Sequence, residues 1–458
     1  MKLHYALCAL FVALVSGCSD GGRSATEPGA MVPGDVGAAA AFDPQTTEAS
    51  AEGLCSWPTV SDPDVLNIAY PDEGATYWGT MTPMLRGSRV RIEGQYPQAR
   101  YFSFHVYDPL NRPVDSLTDF RILPRIAGSN AFRTAGAAPG ADYVAYIVPE
   151  PKPENPEPNT IYAGSLSLPG SNALPANPLP IVLYRIYLPE VDATGGVPLP
   201  RLSYELADGS VVPLSLSLCK PLPPEGLPPL LNEPIREASF PGNASPSRAP
   251  PPRVSRFYNL FESLRVLLAS QSGMEIPPNA LTEDSSGGFL SNRDIAYVSA
   301  LFRRSSGQLY VVRARAPTTA RQPTDAPLGG AQLRYWSLCV NEFASQRFVA
   351  CAHDEQVPLD AAGFFTIVVS DPEDRPANAV AGNGMLWLPW GGVYPDSLLI
   401  YRHMLPNAGF GEAIQNIPYG TAPEDVMGEY FPRLAYCDRA TVEAAGSNPA
   451  AVFAACGS

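Results

Sequence analysis

The sequence is poor in lysine and histidine, and it carries few charges of either sign. Lysine occurs only at Lys2, Lys152 and Lys220, and charged residues make up 17% of the chain. Acidic residues outnumber basic ones by 45 to 31, which leaves a formal net charge of -14. A phosphate binder needs a basic surface, so this balance argues against nucleic acid as a partner and against a polybasic contact with lipid headgroups.

Several short motifs of enzymes and metal sites are also missing. The sequence contains no His-Glu-x-x-His zinc motif, no glycine-rich phosphate loop and no Cys-x-x-Cys pair. We therefore expect no metal and no cofactor, and a non-enzymatic role is favoured over an enzymatic one. A catalytic triad assembled from residues that are distant in the sequence stays open.

The apolar run near the N-terminus is too short to cross a bilayer. Residues 6–15 follow Lys2 and form the core of a signal peptide, whereas a membrane-spanning helix needs about 20 residues. The run ends in Val-Ser-Gly-Cys at 15–18, which resembles a bacterial lipobox. We expect Cys18 to be acylated after removal of a signal peptide that ends there; an ordinary secretory peptide is the alternative.

Residues 19–53 contain hardly any large apolar side chain, so we expect a disordered tether. As a flexible coil it would reach roughly 30–35 Å. The protein would then be exported and lipid-anchored in the bacterial cell envelope, with membrane contact through the anchor only. Ser19 is typical of outer-membrane sorting in a Gram-negative host.

Beyond the leader, the cysteines are even in number, which indicates disulfides in an exported protein. They are Cys55, Cys219, Cys339, Cys351, Cys437 and Cys456. Proximity in the sequence suggests a Cys339–Cys351 hairpin clip and a Cys437–Cys456 bond in the tail. Cys55 and Cys219 would then bracket the first half of the chain.

Proline is abundant, with 51 residues, and it favours short strands joined by turns over long helices. Residues 101–107 alternate as a half-buried strand does, with Phe102, Phe104 and Val106 on one face. Residues 181–184 are apolar on both faces and predict a strand covered on both sides. These patterns predict a β-sandwich or jelly roll.

Four short boxes occur twice in the same order. Residues 100–103 (RYFS) recur at 334–337 (RYWS), and 184–189 (YRIYLP) recur at 401–406 (YRHMLP). The other two pairs are 68–70 with 295–297 and 147–151 with 368–372. We therefore predict two related antiparallel β-sandwich units, at 54–222 and 254–421, in which Trp336, Leu338 and Val340 point inward.

The remaining segments connect and terminate these units. Residues 223–253 form a proline-rich linker. One amphipathic helix, capped by Ser255 and ended by Gly273, would open the second unit. Residues 422–458 predict a small helical tail clipped by a disulfide. The fold class is accordingly mainly β.

Trp387-Leu388-Pro389 and the following segment 397–406 resemble the end of domain-of-unknown-function family 1214. The box at 184–189 is similar to the same region, and 101–108 to the early strand of that family. The resemblance implies β-sandwich domains in exported bacterial proteins without a settled activity. The first unit departs from the family because 159–162 (NTIY) stands where the Trp-Leu-Pro turn would fall.

The candidate ligand-binding residues are aromatic or basic, since such groups suit sugars and other flat apolar faces. They are Trp336, Trp387, Trp390, Tyr394, Arg402 and His403. The group also has a structural interpretation. Trp336 and His403 would be core residues, and the turn that contains Trp387 and Trp390 would close one end of the barrel. Arg402, like Arg185, would be one member of a structural ion pair or a donor to backbone carbonyls.

These patterns predict a surface binding or scaffolding protein for a glycan or other small ligand. A secreted hydrolase is the first alternative, because Asp371, Glu373 and Asp374 could supply paired carboxylates. A purely structural envelope component is the second alternative.

We expect Cys18→Ser to abolish lipid attachment, because serine lacks the thiol that is acylated. The chain produced in a Gram-negative host should then incorporate no labelled palmitate and should leave the membrane fraction. Cys8→Ser, inside the apolar run, is the matched control and should leave labelling intact. Labelling of the Cys18 variant at the wild-type level would contradict the lipobox assignment.

Overall fold

The computed structural model describes residues 56–62, 67, 69–108, 111–164, 177, 179–214, 252–256, 290–320, 330–342, 346–391, 396–418 and 420–457. These residues all belong to one compact unit, Thr47–Ser458. Cys18, Cys55, Cys219 and Tyr394 lie outside them, as does the predicted helix beyond Arg256.

The first half forms two sheets. Its strands are β1 (Thr59–Ser61), β2 (Ala75–Met81), β3 (Ser88–Gln95), β4 (Ala99–Tyr107), β5 (Pro113–Thr118), β6 (Asp142–Val148), β7 (Thr160–Tyr162), β8 (Ile181–Pro189), β9 (Arg201–Leu206) and β10 (Val211–Pro213). The first inner sheet has the order β1-β2-β8-β4-β5, and the first outer sheet has the order β10-β9-β3-β6-β7.

The second half repeats this arrangement and ends in short helices. Its strands are β11 (Ser255–Arg256), β12 (Ile295–Arg303), β13 (Leu309–Arg315), β14 (Leu333–Asn341), β15 (Phe348–His353), β16 (Phe364–Ser370), β17 (Leu386–Pro389), β18 (Asp396–Pro406) and β19 (Arg433–Cys437). The helices are α1 (Pro423–Met427), α2 (Arg439–Ala444) and α3 (Pro449–Gly457). Ser255, predicted to cap a helix, instead pairs with Ser299 as part of β11.

The mainly β fold predicted from the sequence is confirmed, and the strand orders of the two halves correspond. The second inner sheet runs β11-β12-β18-β14-β15, and the second outer sheet runs β17-β16-β13-β19. Each outer sheet carries one parallel pair, β6 with β7 and β16 with β17. Strand β10 has no counterpart among the described residues of the second half. The segment 159–162 contributes β7, which takes the place that β17 has.

The register places Arg185 and Arg402 on corresponding strands. Ser103 of β4 lies opposite Arg185 of β8, and Ser337 of β14 lies opposite Arg402 of β18. On the other side, Tyr77 pairs with Arg185 and Tyr297 with Arg402. The predicted match of 68–70 with 295–297 was therefore wrong by seven positions, because Tyr77 rather than Tyr70 corresponds to Tyr297.

Each half has a hydrophobic core between its two sheets. In the first half, Phe104 stacks on Tyr184 with ring centroids 4.9 Å apart, and Phe102 packs against Tyr143. In the second half, Trp336, Leu338 and Val340 lie in the core as predicted. Large apolar side chains at every second position supply this burial, because successive strand residues point to opposite faces.

The prediction of a half-buried strand at 101–107 was wrong. All nine residues of β4 are buried, and so are all nine of β14. The reason is tertiary: the two inner sheets pack on each other through their second faces, where Tyr101 and Tyr187 share one cluster with Tyr335 and Met404. We call the layer between the two inner sheets the junction.

Both disulfides suggested by proximity are present. Cys339 and Cys351 lie opposite each other on β14 and β15. Cys437 at the end of β19 joins Cys456 of α3, so that α2 and α3 pack Val442 and Val452 against the second outer sheet. Within the described residues, none of the helices combines the length and apolar character needed to cross a membrane.

The tail disulfide should stabilise the chain measurably. It closes a loop with a sequence separation of 19, and a loop of this size is worth about 3 kcal/mol. We expect the double variant Cys437→Ala/Cys456→Ala to lose about this much free energy of unfolding in urea titrations. Ala455→Ser, on the same helix, is the control and should lose far less. An unchanged midpoint in the double variant would show that the crosslink contributes nothing.

Candidate functional site

The junction is a buried region that is rich in polar side chains. Strands alternate their side chains, so the faces of the inner sheets that turn away from the cores carry Arg185 on β8, Arg402 on β18 and the serines opposite them. In a lone sandwich this face would lie in water. Packing two inner sheets together removes the water, and every polar group there must then find a partner within the protein.

Two arginines tie the halves together reciprocally. Arg100 Nη1 donates to the Arg334 carbonyl at 3.2 Å, and Arg334 Nη1 donates to the Arg100 carbonyl at 3.1 Å. Each also meets a carboxylate of the opposite half, Asp354 at 2.9 Å from Arg100 and Asp119 at 3.4 Å from Arg334. Burial raises the pKa of Asp119 to about 6, although Arg334 opposes the shift. These contacts fasten the two inner sheets in one register.

The strand arginine of the second half, Arg402, has a carboxylate partner that comes from the first half. Asp72 accepts hydrogen bonds from the Tyr335 hydroxyl at 2.7 Å and the Ser337 hydroxyl at 2.5 Å. Arg402 Nε lies 3.8 Å from the same carboxylate. The guanidinium also donates to the Tyr70 carbonyl at 2.8 Å. Both structural interpretations of Arg402, the ion pair and the carbonyl contact, therefore hold at once.

In the first half, the corresponding arginine lacks a carboxylate. Asn292 occupies the place of Asp72, and its Oδ1 accepts from Tyr101 at 3.1 Å and from the Asp294 N–H at 2.9 Å. Arg185 donates Nη2 to the Leu290 carbonyl. Arg185 Nε, Arg185 Nη1 and Asn292 Nδ2 are buried without a hydrogen-bond partner anywhere in the described part of the chain.

Aromatic rings surround this arginine. The guanidinium carbon of Arg185 lies 5.6 Å from the Tyr77 ring centroid and 5.5 Å from that of Tyr107. Burial raises the pKa of Tyr107 above its ordinary value, while Arg185 lowers it less strongly. The tyrosines therefore stay neutral, and none of them supplies the negative charge that Arg185 lacks.

Ser103 and His105 form a buried pair, but not in the arrangement of a nucleophile with its base. Ser103 Oγ lies 3.1 Å from His105 Nδ1, and His105 Nε2 accepts the Arg293 N–H at 2.9 Å. Burial, with Arg185 and Arg293 nearby, lowers the histidine pKa well below its ordinary value. The ring is then neutral with its proton on Nδ1, so it donates to Ser103 and cannot accept a proton from it.

Two of the predicted ligand-binding tryptophans lie in the second sandwich core. Trp336 stacks on Phe365 with centroids 5.2 Å apart, and Trp390 packs edge-on against Tyr310 at 4.8 Å. Both are almost completely buried. They contribute hydrophobic packing, which is the structural interpretation of aromatic residues at these positions.

The other predicted residues lie elsewhere. Trp387 is half-buried on the outer sheet, where its indole donates to Ser370 Oγ at 2.8 Å. His403 points into the sandwich core and accepts the Ile414 N–H at 3.3 Å. Arg402, its neighbour on β18, faces the junction instead. Of the predicted residues that the structure describes, Arg402 alone lies at the junction, and the others lie in the sandwich core or on the outer sheet.

The carboxylates around Asp371 lie on a turn that is partly open to solvent. Asp371 pairs with Arg304, and Asp374 accepts from Gln308 at 2.6 Å. Glu373 is exposed. Partnering with an arginine and an amide is the arrangement of a structural turn, and a hydrolytic pair would instead place one carboxyl where burial raises its pKa.

One trio among the described residues has the spacing of metal ligands: Asp72, Cys339 and Cys351. The two sulfurs are bonded to each other in a disulfide. They offer no thiolate, so the trio does not fit a metal ion.

Sequence reasoning missed Asp72 and Asn292, although a signal for them was present. Each stands five positions before its tyrosine, and each backbone N–H donates to that tyrosine's hydroxyl at 3.1 Å, Tyr77 in one case and Tyr297 in the other. An alignment of Tyr77 with Tyr297 would have matched Asp72 with Asn292. No local pattern shows that their side chains reach across to the opposite half.

Comparisons with known proteins do not assign the chain to a family. No protein family matches the chain, and no curated protein does. An uncharacterised protein from Burkholderia cenocepacia is similar in structure, with 13% identity, a TM-score of 0.41 and coverage of 79% of this chain and 81% of that one. A protein from Vibrio parahaemolyticus has 12% identity, a TM-score of 0.37 and coverage of 81% and 92%.

His403 should make the fold sensitive to acid. Burial lowers its pKa from 6.5 to about 3. Between these two values the imidazole is protonated in the unfolded chain and neutral in the folded chain. Its contribution to stability is complete above about pH 6.5 and is lost progressively toward pH 3. We expect His403→Ile, which copies Ile186 of the first half, to reduce the slope of unfolding free energy against pH by about 1.4 kcal/mol per unit.

Urea midpoints measured between about pH 7 and pH 4 would give these slopes. Ile186→Val is the matched control, since it alters the same core position of the other half without changing a titrating group. Parallel pH profiles for wild type and His403→Ile would contradict the assignment.

Proposed function

We propose that this protein is a lipid-anchored binding protein of the bacterial cell envelope, with its ligand site in the junction beside Arg185. Cys18 would carry the anchor, and 19–53 would tether the folded part above the membrane. The function is binding rather than catalysis, and no cofactor takes part in it. In a Gram-negative host the anchor would lie in the outer membrane.

One observation carries this proposal, the incomplete partnering of Arg185. Burying a guanidinium costs several kcal/mol unless a carboxylate and hydrogen-bond acceptors compensate it. Arg402 has that compensation from Asp72, whereas two nitrogens of Arg185 find no acceptor among the described residues. A bound ligand would supply the missing acceptor, and the two halves differ at the residue that decides this.

We further propose that the halves arose by duplication of one β-sandwich unit related to domain-of-unknown-function family 1214. The shared strand order and the matching registers of Arg185 and Arg402 support this. Duplication explains how two equivalent positions could diverge, with Asp72 supplying an internal carboxylate to Arg402 while Asn292 leaves Arg185 available to a ligand.

A structural envelope component is the second candidate. The reciprocal contacts of Arg100 and Arg334 favour it, because they fasten two sandwiches into one rigid body. That role leaves the unpartnered nitrogens of Arg185 unexplained. The hydrolase alternative has less support, since His105 donates to Ser103 and Asp371 is neutralised by Arg304.

A thermal-shift screen of the mature protein against soluble sugars, amino acids and short carboxylic acids tests the binding role. We expect at least one class to raise the melting temperature by several degrees, because ligands that bind only the folded state stabilise it. Arg185→Met should lose that response. Trp387→Ala, on the outer sheet, should retain it.

The reverse pattern, with the response lost in Trp387→Ala and kept in Arg185→Met, would move the site to the outer sheet. A flat response across the whole panel would contradict the binding role and leave the structural candidate. Circular dichroism of each variant would verify that its fold is intact.

A further inference from the structure

We infer, building on the ligand site proposed above, that the site at Arg185 takes a small carboxylate, the group that Asp72 supplies from within the chain at Arg402. Asn292 is the residue that makes the difference: it gives Arg185 no carboxylate, whereas Asp72, from the first half of the chain, gives one to Arg402.

The correspondence of Asp72 with Asn292 rests on matching contacts. Each side chain accepts from the backbone N–H two residues later, Gly74 at 3.1 Å and Asp294 at 2.9 Å. Each also lies within hydrogen-bond distance of a tyrosine hydroxyl of the opposite half, Tyr335 for Asp72 and Tyr101 for Asn292. The Tyr101 hydroxyl also contacts the Asp294 carboxylate at 2.8 Å. Asp72 therefore shows which chemical group fits this position beside a buried arginine.

The orientation of the Asn292 amide follows from these contacts. Its Oδ1 must face the Asp294 N–H, because two donors cannot bond to each other. Its Nδ2 is then turned away from that N–H, and it finds no acceptor among the described residues. In the second half, the equivalent atom is the Asp72 oxygen that meets Ser337 and Arg402.

Ser103 is already engaged by its neighbours. His105 holds its proton on Nδ1, since Nε2 accepts the Arg293 N–H, and so Ser103 Oγ receives a hydrogen bond from the ring. The Tyr101 hydroxyl also forms a side-chain hydrogen bond with Ser103. Ser337, in the corresponding place, donates to the Asp72 carboxylate. The site beside Arg185 thus presents Nε and Nη1 of Arg185 and Nδ2 of Asn292 as donors that have no acceptor among the described residues.

The donors and the charge define the ligand class. A guanidinium repels cations and selects a planar anion, to which it can donate in parallel. The rings of Tyr77 and Tyr107 on either side suit a short apolar substituent. Arg185 is only 2% exposed, which restricts the ligand to a small molecule. A short monocarboxylate meets all of these conditions.

The experiment compares sodium acetate with sodium chloride at equal ionic strength, using the mature full chain. We expect the melting temperature of the wild type to rise by roughly 2 °C for each tenfold increase in acetate above its dissociation constant, and to respond less to chloride. In Asn292→Asp, an internal carboxylate fills the site. That variant should start from a higher melting temperature and should not respond to acetate.

Asp72→Asn is the matched variant at the position that contacts Arg402. It should start from a lower melting temperature, because Arg402 loses its carboxylate, and its response to acetate should persist. If Asn292→Asp does not fold, Asn292→Leu provides the comparison, since it removes the Nδ2 donor without adding charge and should weaken the acetate response. Calorimetric titration of the wild type with acetate would then give the affinity directly.

Three outcomes would overturn the inference: no acetate response in the wild type, an equal response to chloride, or an unchanged response in Asn292→Asp. The binding role would survive any of them if another class in the ligand screen gave a shift that depends on Arg185. If no class gives such a shift, both the binding role and the carboxylate site fall together.

Discussion

The contact on which the rest of the structure depends is the exchange of hydrogen bonds between Arg100 and Arg334. Each guanidinium reaches the other's backbone carbonyl and a carboxylate of the opposite half. Neither half can satisfy its own arginine, and a buried guanidinium without partners is costly. The two sandwiches must therefore fold as one body, and both faces of the inner sheets become interior.

This mutual arrangement makes the differences between the halves informative. Where both halves keep a residue, as at Ser103 and Ser337, the contact belongs to the shared framework. Two corresponding positions carry different residues. Cys339, which is bonded to Cys351, corresponds to His105, and Asp72 corresponds to Asn292. Around Arg402 the junction holds a disulfide and a carboxylate. Around Arg185 it holds the neutral side chains of His105 and Asn292 in the same positions.

The two sides of the inner strands follow different physical rules. Toward the sandwich cores, apolar volume is what matters, so Trp336 and His403 can occupy places that Phe102 and Ile186 occupy in the other half. Toward the junction, hydrogen-bond geometry is what matters, and three nitrogens of Arg185 and Asn292 are buried there without an acceptor in the part of the chain that the structure describes. We therefore expect a candidate site on the junction face of the inner strands, because substitutions there change hydrogen-bond partners rather than packed volume.

The sequence by itself determined the parts of this protein that depend on local pattern. Alternating apolar residues and frequent proline predicted short antiparallel strands, the repeated boxes placed Arg185 and Arg402 on corresponding strands, and proximity identified Cys339–Cys351 and Cys437–Cys456. Only the tertiary structure decided that β4 is covered on both faces, that Trp336 and Arg402 lie on opposite sides of one sheet, and that Asp72 serves an arginine far along the chain. The reason is that period-two alternation shows which residues share a face, whereas the surface that covers that face comes from the other half of the chain.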